Sequence, residues 1–147
     1  MDVLTPEQRR HCMTRIKARD TKPEVLLRKA LFALGFRYRL HDRRLPGTPD
    51  LVFPKYRAVV FVNGCFWHGH DCPLFVVPQT NTDFWLQKIG ANRARDRRAV
   101  SSLRRMGWRV LTVWECALRR PAQVRNLVVA AKTARWLGSQ GGLAEIP

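Results

Sequence analysis

With 147 residues, 46% of them hydrophobic, the chain is long enough to bury an ordinary core without disulfide staples and too apolar to be disordered as a whole. Its 27 Lys and Arg against 11 Asp and Glu leave a formal charge of +16, which points to a polyanion; five Trp interleaved with the arginines favour nucleic acid over a generic basic surface. No apolar run approaches the roughly 20 residues of a membrane span, and Met1 to Thr14 is unlike a signal peptide. The expected setting is a reducing cytoplasm, where clustered Cys and His bind metal more often than they pair.

In chain order, Thr5-Pro6-Glu7-Gln8 reads as a helix start, with Thr as N-cap and Pro at the first helical position. That helix is predicted to run to about Ala18 within a basic arm, residues 1–20, that carries Arg9, Arg10, Arg15 and Lys17. Cys12 has no metal-type neighbours and reads as a free thiol. Thr21-Lys22-Pro23-Glu24 repeats the start signal, with Glu24 as a capping-box residue. Val25, Leu26, Ala30, Leu31 and Leu34 then follow at helical spacing, and Gly35 ends the helix. Phe36 to Leu40 alternates as a half-buried strand does, and Leu45-Pro46-Gly47-Thr48-Pro49 is a turn-rich entry to a short strand, Asp50 to Phe53. After a turn at Pro54-Lys55, Ala58 to Val62 is apolar throughout, the mark of a central strand covered on both faces.

That strand runs into Asn63-Gly64-Cys65-Phe66-Trp67-His68-Gly69-His70-Asp71-Cys72 and a loop to Asn81. Thr82 is then expected to cap a long helix through Phe84, Trp85, Ile89, Val100 and Leu103, stopped by Gly107 and studded with arginines. Trp108 to Trp114 is a second buried strand, with both of those Trp assigned to the core and Glu115-Cys116 at its end. A last helix, from about Pro121 to Leu137, precedes residues 138–147, which read as a flexible tail. The expected architecture is one α/β domain over residues 1–137, a central mixed β-sheet flanked by helices.

Thiolate and imidazole are the usual Zn²⁺ ligands, and Cys65, His70, Cys72 and Cys116 would make a closed Cys₃His site between two strand ends. His68 in place of His70 is the alternative fourth ligand. Asp50, at a strand entry after a Pro-Gly turn, is a place to present a Mg²⁺ ligand beside a phosphate, although such an Asp is more often a turn residue. Nucleases of the PD-(D/E)xK type put a second acid and a lysine on the next strand; Phe61-Val62-Asn63 supplies neither. A neutral His68 can fill that gap by deprotonating water, with Asp96 as the carboxylate that orients it, unless Asp96 is only a surface ion-pair partner of its neighbouring arginines. Phe66, Trp67 and Trp85 can unstack base pairs if exposed, or simply pack; Phe66-Trp67 in a polar loop favours exposure.

Together these stretches resemble the Vsr family of very-short-patch mismatch repair endonucleases. The matching text is Ala18-Arg19-Asp20-Thr21, Leu45 to Asp50, Gly64-Cys65-Phe66-Trp67-His68, Phe84 to Gly90, Asp96-Arg97-Arg98 and Gly107 to Cys116, in order over roughly residues 5 to 120. The resemblance implies a type II restriction-endonuclease-like core with a structural zinc. It also implies nicking of duplex DNA 5′ to the thymine of a T·G mismatch, the lesion left when 5-methylcytosine deaminates. Carried over, Asp50 and the backbone carbonyl of Val62 bind Mg²⁺, His68 is the general base, and Glu24 and Asp96 are supporting acids. Cys65, His70, Cys72 and Cys116 match the zinc ligands, Phe66, Trp67 and Trp85 the aromatic wedge, and Met13 an intercalating side chain of the arm.

Where one well-known member has Thr-His before the Gly-Cys pair, this chain has Val62-Asn63, so Asn63 keeps a hydrogen bond at the active site but no charge. Gly69 and Asp71 replace family histidines. The family also implies a monomer acting on mismatched double-stranded DNA, in concert with other mismatch-repair proteins and away from membranes. Two other readings stand beside it: a related nuclease of a restriction system with a different specificity, and a zinc-stabilised DNA-binding module with a decayed active site.

Overall fold

The computed structural model describes residues 21–119 and 121–147. The helix expected from Thr5 to Ala18, with Cys12 and Met13 on it, lies outside the described residues. Helix α1 spans Lys22–Ala33, α2 Thr82–Arg105 and α3 Ala122–Leu137. Strands β1 (Arg39–Leu40), β2 (Leu51–Phe53), β3 (Ala58–Asn63), β4 (Arg109–Trp114) and β5 (Leu143–Ile146) form one sheet in the order β1-β2-β3-β4-β5. The first two pairings are antiparallel and the last two parallel, so the sheet is mixed.

Side chains alternate across a strand, and here both faces of the central strands are apolar because both are covered. Leu51, Phe53, Ala58, Val60, Leu111 and Val113 pack on one face, against Leu27 and Leu31 of α1 and Val129 and Leu137 of α3. Val52, Val59 and Val110 point to the other, under Leu103 of α2. Burying each such Leu or Val contributes about 1.5–3 kcal/mol, so this double-sided packing is the main force holding β3 between its neighbours. Parallel pairing of β3 with β4 ends at Asn63 opposite Trp114. Cys65 and Cys116 each lie two residues beyond that pair, so both strand ends deliver a thiol to the same edge.

Four local expectations change. Residues 143–146 are a strand, not a flexible tail: Arg109 donates to Gly141 O (2.7 Å), Leu137 O (3.1 Å) and Trp136 O (2.5 Å), and Ile146 sinks into the core beside β4. The first strand shrinks to Arg39–Leu40, opposite Val52 and Leu51, because Phe36 and Tyr38 pack on Phe53 at centroid distances of 6.2 and 5.7 Å instead of continuing a ladder. Thr82 is the first residue of α2 and not its cap; Asn81 takes that place in a left-handed conformation, while the Thr82 hydroxyl donates to Pro78 O at 2.8 Å. Thr21 makes no side-chain cap, and Glu24 turns inward, 2% exposed.

Candidate active site and metal cluster

The thiol and imidazole ligand atoms of Cys65, His70, Cys72 and Cys116 all lie within 4.8 Å of one another, a grouping that can hold one metal ion. Backbone bonds preset it: His70 N–H donates to Cys65 O and Cys72 N–H to His70 O, each at 2.9 Å. The Cys116 amide donates to Cys65 Sγ at 3.4 Å, and Cys116 Sγ sits 3.6 Å from His70 Nδ1. The Trp114 indole stacks on the His70 ring, 4.1 Å between centroids and 5° from parallel, fixing the imidazole plane. Trp114 is buried as expected of a core residue, but against this cluster. His70, not His68, is therefore the imidazole of the set. Burial, reinforced by its neighbouring thiols, pushes the Cys65 thiol up to about 12, and burial also raises Cys116; a cation is what would let such sulfurs ionise together.

His68 turns the other way. Its Nδ1 lies 2.5 Å from Asp96 Oδ2 of α2. One turn earlier on the same helix, Asn92 Nδ2 donates to Trp67 O at 2.9 Å, so two residues of α2 hold the loop backbone and the imidazole. Gly69, with φ of +61°, lets the chain pass close to α2, where a Cβ would meet Ile89 Cγ2 at 2.8 Å. Gly47 does the same ahead of Asp50: at φ +75° its added Cβ would strike Ala99 at 2.7 Å, so this loop is seated tightly on α2.

Between these loops opens a cleft of about 1010 Å³ whose walls include His41, Asp50, Val62, Asn63, His68 and Asp96. Arg43, Arg93, Arg95, Arg97 and Arg104 also line it, giving a cationic wall around a few acids, as a phosphate backbone requires. Asp50 Oδ2 accepts from the Val62 amide at 2.7 Å, and its Oδ1 is 3.6 Å from His41 Nδ1. Burial pushes the Asp50 carboxyl up to about 7; the Val62 amide opposes this, nearby Glu24 adds to it, and His41 and His68 pull it down. Glu24 reaches the same corner from α1, its Oε1 3.1 Å from His41 Nε2 and 3.6 Å from Arg28. Ligand atoms of Glu24, His41 and Asp50 form a second group within 4.8 Å of one another.

Phe66, Trp67 and Trp85 meet edge to face, with centroids 5.2 to 5.8 Å apart, at the rim of the metal loop. Phe66 and Trp67 are half-buried against each other and Trp85, rather than fully exposed; Phe84, edge-on to Trp85, is 56% exposed. Met13 lies outside the described residues. Two residues at the site, His41 and Asn92, are not among those the sequence singles out. Asn92 is four residues before Asp96, the spacing that shares a helix face, which is a cue. His41 has only its position after a short strand.

A family model described as DNA mismatch endonuclease Vsr matches residues 1–74. The chain is 46% identical to the DNA mismatch endonuclease Vsr of Escherichia coli (strain K12) over 145 residues, 99% of this chain and 93% of that protein. It is 47% identical to the type II nicking enzyme V.XorIIP of Xanthomonas oryzae pv. oryzae over 131 residues, 86% of this chain and 96% of the relative. With the type II nicking enzyme V.NmeAIP of Neisseria meningitidis it shares 48% over 125 residues, 85% and 89% of the two chains.

Proposed function

Because the chain belongs to the Vsr family of DNA mismatch endonucleases, we propose that it nicks one strand of duplex DNA 5′ to the thymine of a T·G mismatch, by Mg²⁺-dependent phosphodiester hydrolysis. The mixed sheet between helical layers fits the restriction-endonuclease-like core of that family. The observation that carries the proposal is the 2.5 Å pair of His68 and Asp96 in the wall of the cleft that also holds Asp50. A carboxylate oxygen accepts and does not donate, so the proton sits on His68 Nδ1, and in the neutral ring Nε2 keeps its lone pair. There His68 takes a proton from water as the water oxygen attacks phosphorus. The P–O3′ bond breaks, leaving a 5′-phosphate and, after protonation of the departing oxygen, a 3′-hydroxyl.

Asp50 and the Val62 carbonyl would hold Mg²⁺, a hard cation suited to oxygen donors, which when bound neutralises charge on the scissile phosphate. The Asp50 carboxyl, pushed up to about 7 by burial, supports this, since an adjacent cation is what would favour its ionised form. Glu24 braces that corner, and Asn63 offers the substrate a hydrogen bond without a charge. Cys65, His70, Cys72 and Cys116 would hold Zn²⁺ as a structural ion. A tetrahedron with Zn–S of about 2.3 Å and Zn–N of about 2.0 Å has a sulfur–nitrogen edge of roughly 3.6 Å, and Cys116 Sγ and His70 Nδ1 are 3.6 Å apart. Phe66, Trp67 and Trp85, joined by Met13 of the arm, would enter beside the mismatch, which is already easier to unstack. The enzyme would act as a monomer in the bacterial cytoplasm alongside other mismatch-repair proteins; among the described residues no helix is long and apolar enough to cross a membrane.

A second reading is favoured by one observation: relatives from Xanthomonas and Neisseria are named type II nicking enzymes, which suits a partner of a restriction system with its own flanking sequence. The test uses end-labelled duplexes, each strand labelled in turn, with T·G or matched C·G in a methylation-type context. A Mg²⁺-dependent nick 5′ to the mismatched T, slowed about 10²–10⁴-fold in His68→Ala, is expected. Equal cutting of matched and mismatched duplex supports the restriction-type specificity. Tight binding with no nick leaves only a DNA-binding module.

A further inference from the structure

The corner behind Asp50 contains an imidazole for which the proposed hydrolysis has no use. His41 is partly buried, its side chain 9% exposed, and it faces two carboxylates through different ring nitrogens: Nε2 to Glu24 at 3.1 Å and Nδ1 to Asp50 at 3.6 Å. Its backbone is tied as well, the His41 amide donating to Asp50 O at 3.2 Å. The residue holds a φ of +48°, an unfavourable conformation for a side chain with a Cβ, kept here by the ladder on one side and the two acids on the other.

Three elements meet at this ring: α1 supplies Glu24, the end of β1 supplies His41, and the entry to β2 supplies Asp50. The ring lies within reach of both acids, so it separates the Glu24 and Asp50 carboxylates where they meet at this corner. Each nitrogen is already directed at a different carboxylate, so the geometry is that of a spacer and clamp.

Resting on the reading that Asp50 binds the divalent cation, we propose that His41 is a positioning residue: it fixes the Asp50 carboxylate against Glu24 and thereby sets how tightly the cation is held. Asp50 is then flanked on two sides, Oδ2 accepting from the Val62 amide at 2.7 Å and Oδ1 facing His41 Nδ1 at 3.6 Å. Removing one side frees the carboxylate to rotate away from the cation. Partners that orient a metal's ligands are worth about 10- to 100-fold in metal affinity, and an effect of that size is expected here.

The experiment compares full-length wild type, His41→Asn and His41→Gln, Asn being the residue that best tolerates the positive φ. Mn²⁺ binding is titrated by electron paramagnetic resonance in the absence of DNA, the Val62 amide is followed by ¹⁵N NMR, and nicking of the T·G duplex is measured against Mg²⁺ concentration. Thermal melts establish that each variant is folded. Expected are roughly tenfold weaker Mn²⁺ binding in both variants, a displaced Val62 amide resonance, and a half-saturating Mg²⁺ concentration that rises by more than the maximal rate falls. Unchanged Mn²⁺ affinity and an unmoved Val62 resonance in a folded variant overturn the proposal. So does a ¹⁴N coupling to bound Mn²⁺ that disappears on substitution, since that makes His41 a ligand. If wild type itself neither binds Mn²⁺ nor nicks with Mg²⁺, the failure belongs to the reading of Asp50 and not to His41.

Discussion

Two clusters of metal-type side chains sit on the same edge of the sheet and differ in every respect that decides what an ion would do there. Cys65, His70, Cys72 and Cys116 offer four protein atoms, mostly soft sulfurs, closed by backbone bonds and the Trp114 ring. Glu24 and Asp50 offer hard oxygens, with the His41 imidazole beside them, at the back of an arginine-lined cleft open to a long ligand. A full shell leaves no position for a substrate, while an incomplete one keeps it. On the proposed reading, the first cluster holds a loop and the second serves the reaction. What the pair teaches is that position on the sheet does not set function; donor count and access do.

The largest effect should come from breaking the closed cluster. Cys116→Ser, or removal of the ion with a strong chelator, takes away binding energy that in structural zinc sites is about 10–16 kcal/mol, comparable with the whole stability of a domain. The loop carrying Phe66, Trp67 and His68 should lose its order, and thermal melting should broaden and fall, restored by Zn²⁺ in the chelated wild type but not in the variant. A chelated protein that melts like the loaded one would sink the structural role.

The open cluster should respond in the opposite sense. The folded pKa of Asp50 is raised from the ordinary 3.8 to about 7, so the folded state holds a proton that the unfolded chain has released between those values. Its contribution to stability is fully present below about pH 4 and is lost as pH rises through about 7. Asp50→Asn removes that loss. In EDTA the variant should melt several °C above wild type at pH 8, the gap closing towards pH 4, while nicking falls below detection. Calorimetric melts across pH check this; a variant that is less stable at pH 8 would show that Asp50 is ionised and well paired without a cation.

The same contrast governs what can be read without coordinates. Strands β3 and β4 are legible because an unbroken apolar run has one cheap fate, burial on both faces. Cys65, His70, Cys72 and Cys116 are legible because few residue types bind soft metals. The strand at 143–146 is not, because its pattern is short and glycine-flanked and its place depends on three carbonyls gathered by Arg109, a residue of another strand. His41 is hidden for a related reason. Nothing near it in the chain announces Glu24, which arrives from α1 through the tertiary fold, and its positive φ belongs to that meeting and not to histidine. Glu24 itself mimics a helix cap so well at the level of text that only its burial reveals the inward turn.

The smallest expected effect sharpens the comparison at the boundary of the two clusters. Asn63 is the last residue of β3, lines the cleft and lies two positions before Cys65, so it belongs to the open side while adjoining the closed one. Asn63→His adds an imidazole beside the Val62 amide that Asp50 accepts from. Below about pH 6.5 that ring is cationic, and a nearby cation favours the ionised carboxylate. The acid limb of the pH–rate profile should therefore move to lower pH, with the plateau rate at pH 8 altered less than about tenfold, a modest share of what acid–base groups contribute. Zn²⁺ content, measured on the same preparations, should stay at the wild-type level, since Asn63 is outside the Cys65, His70, Cys72 and Cys116 cluster. A lost metal would mean that the two clusters are not separable at this residue; a profile that does not move would place Asn63 in the wall of the cleft, too far from Asp50 to feel its charge.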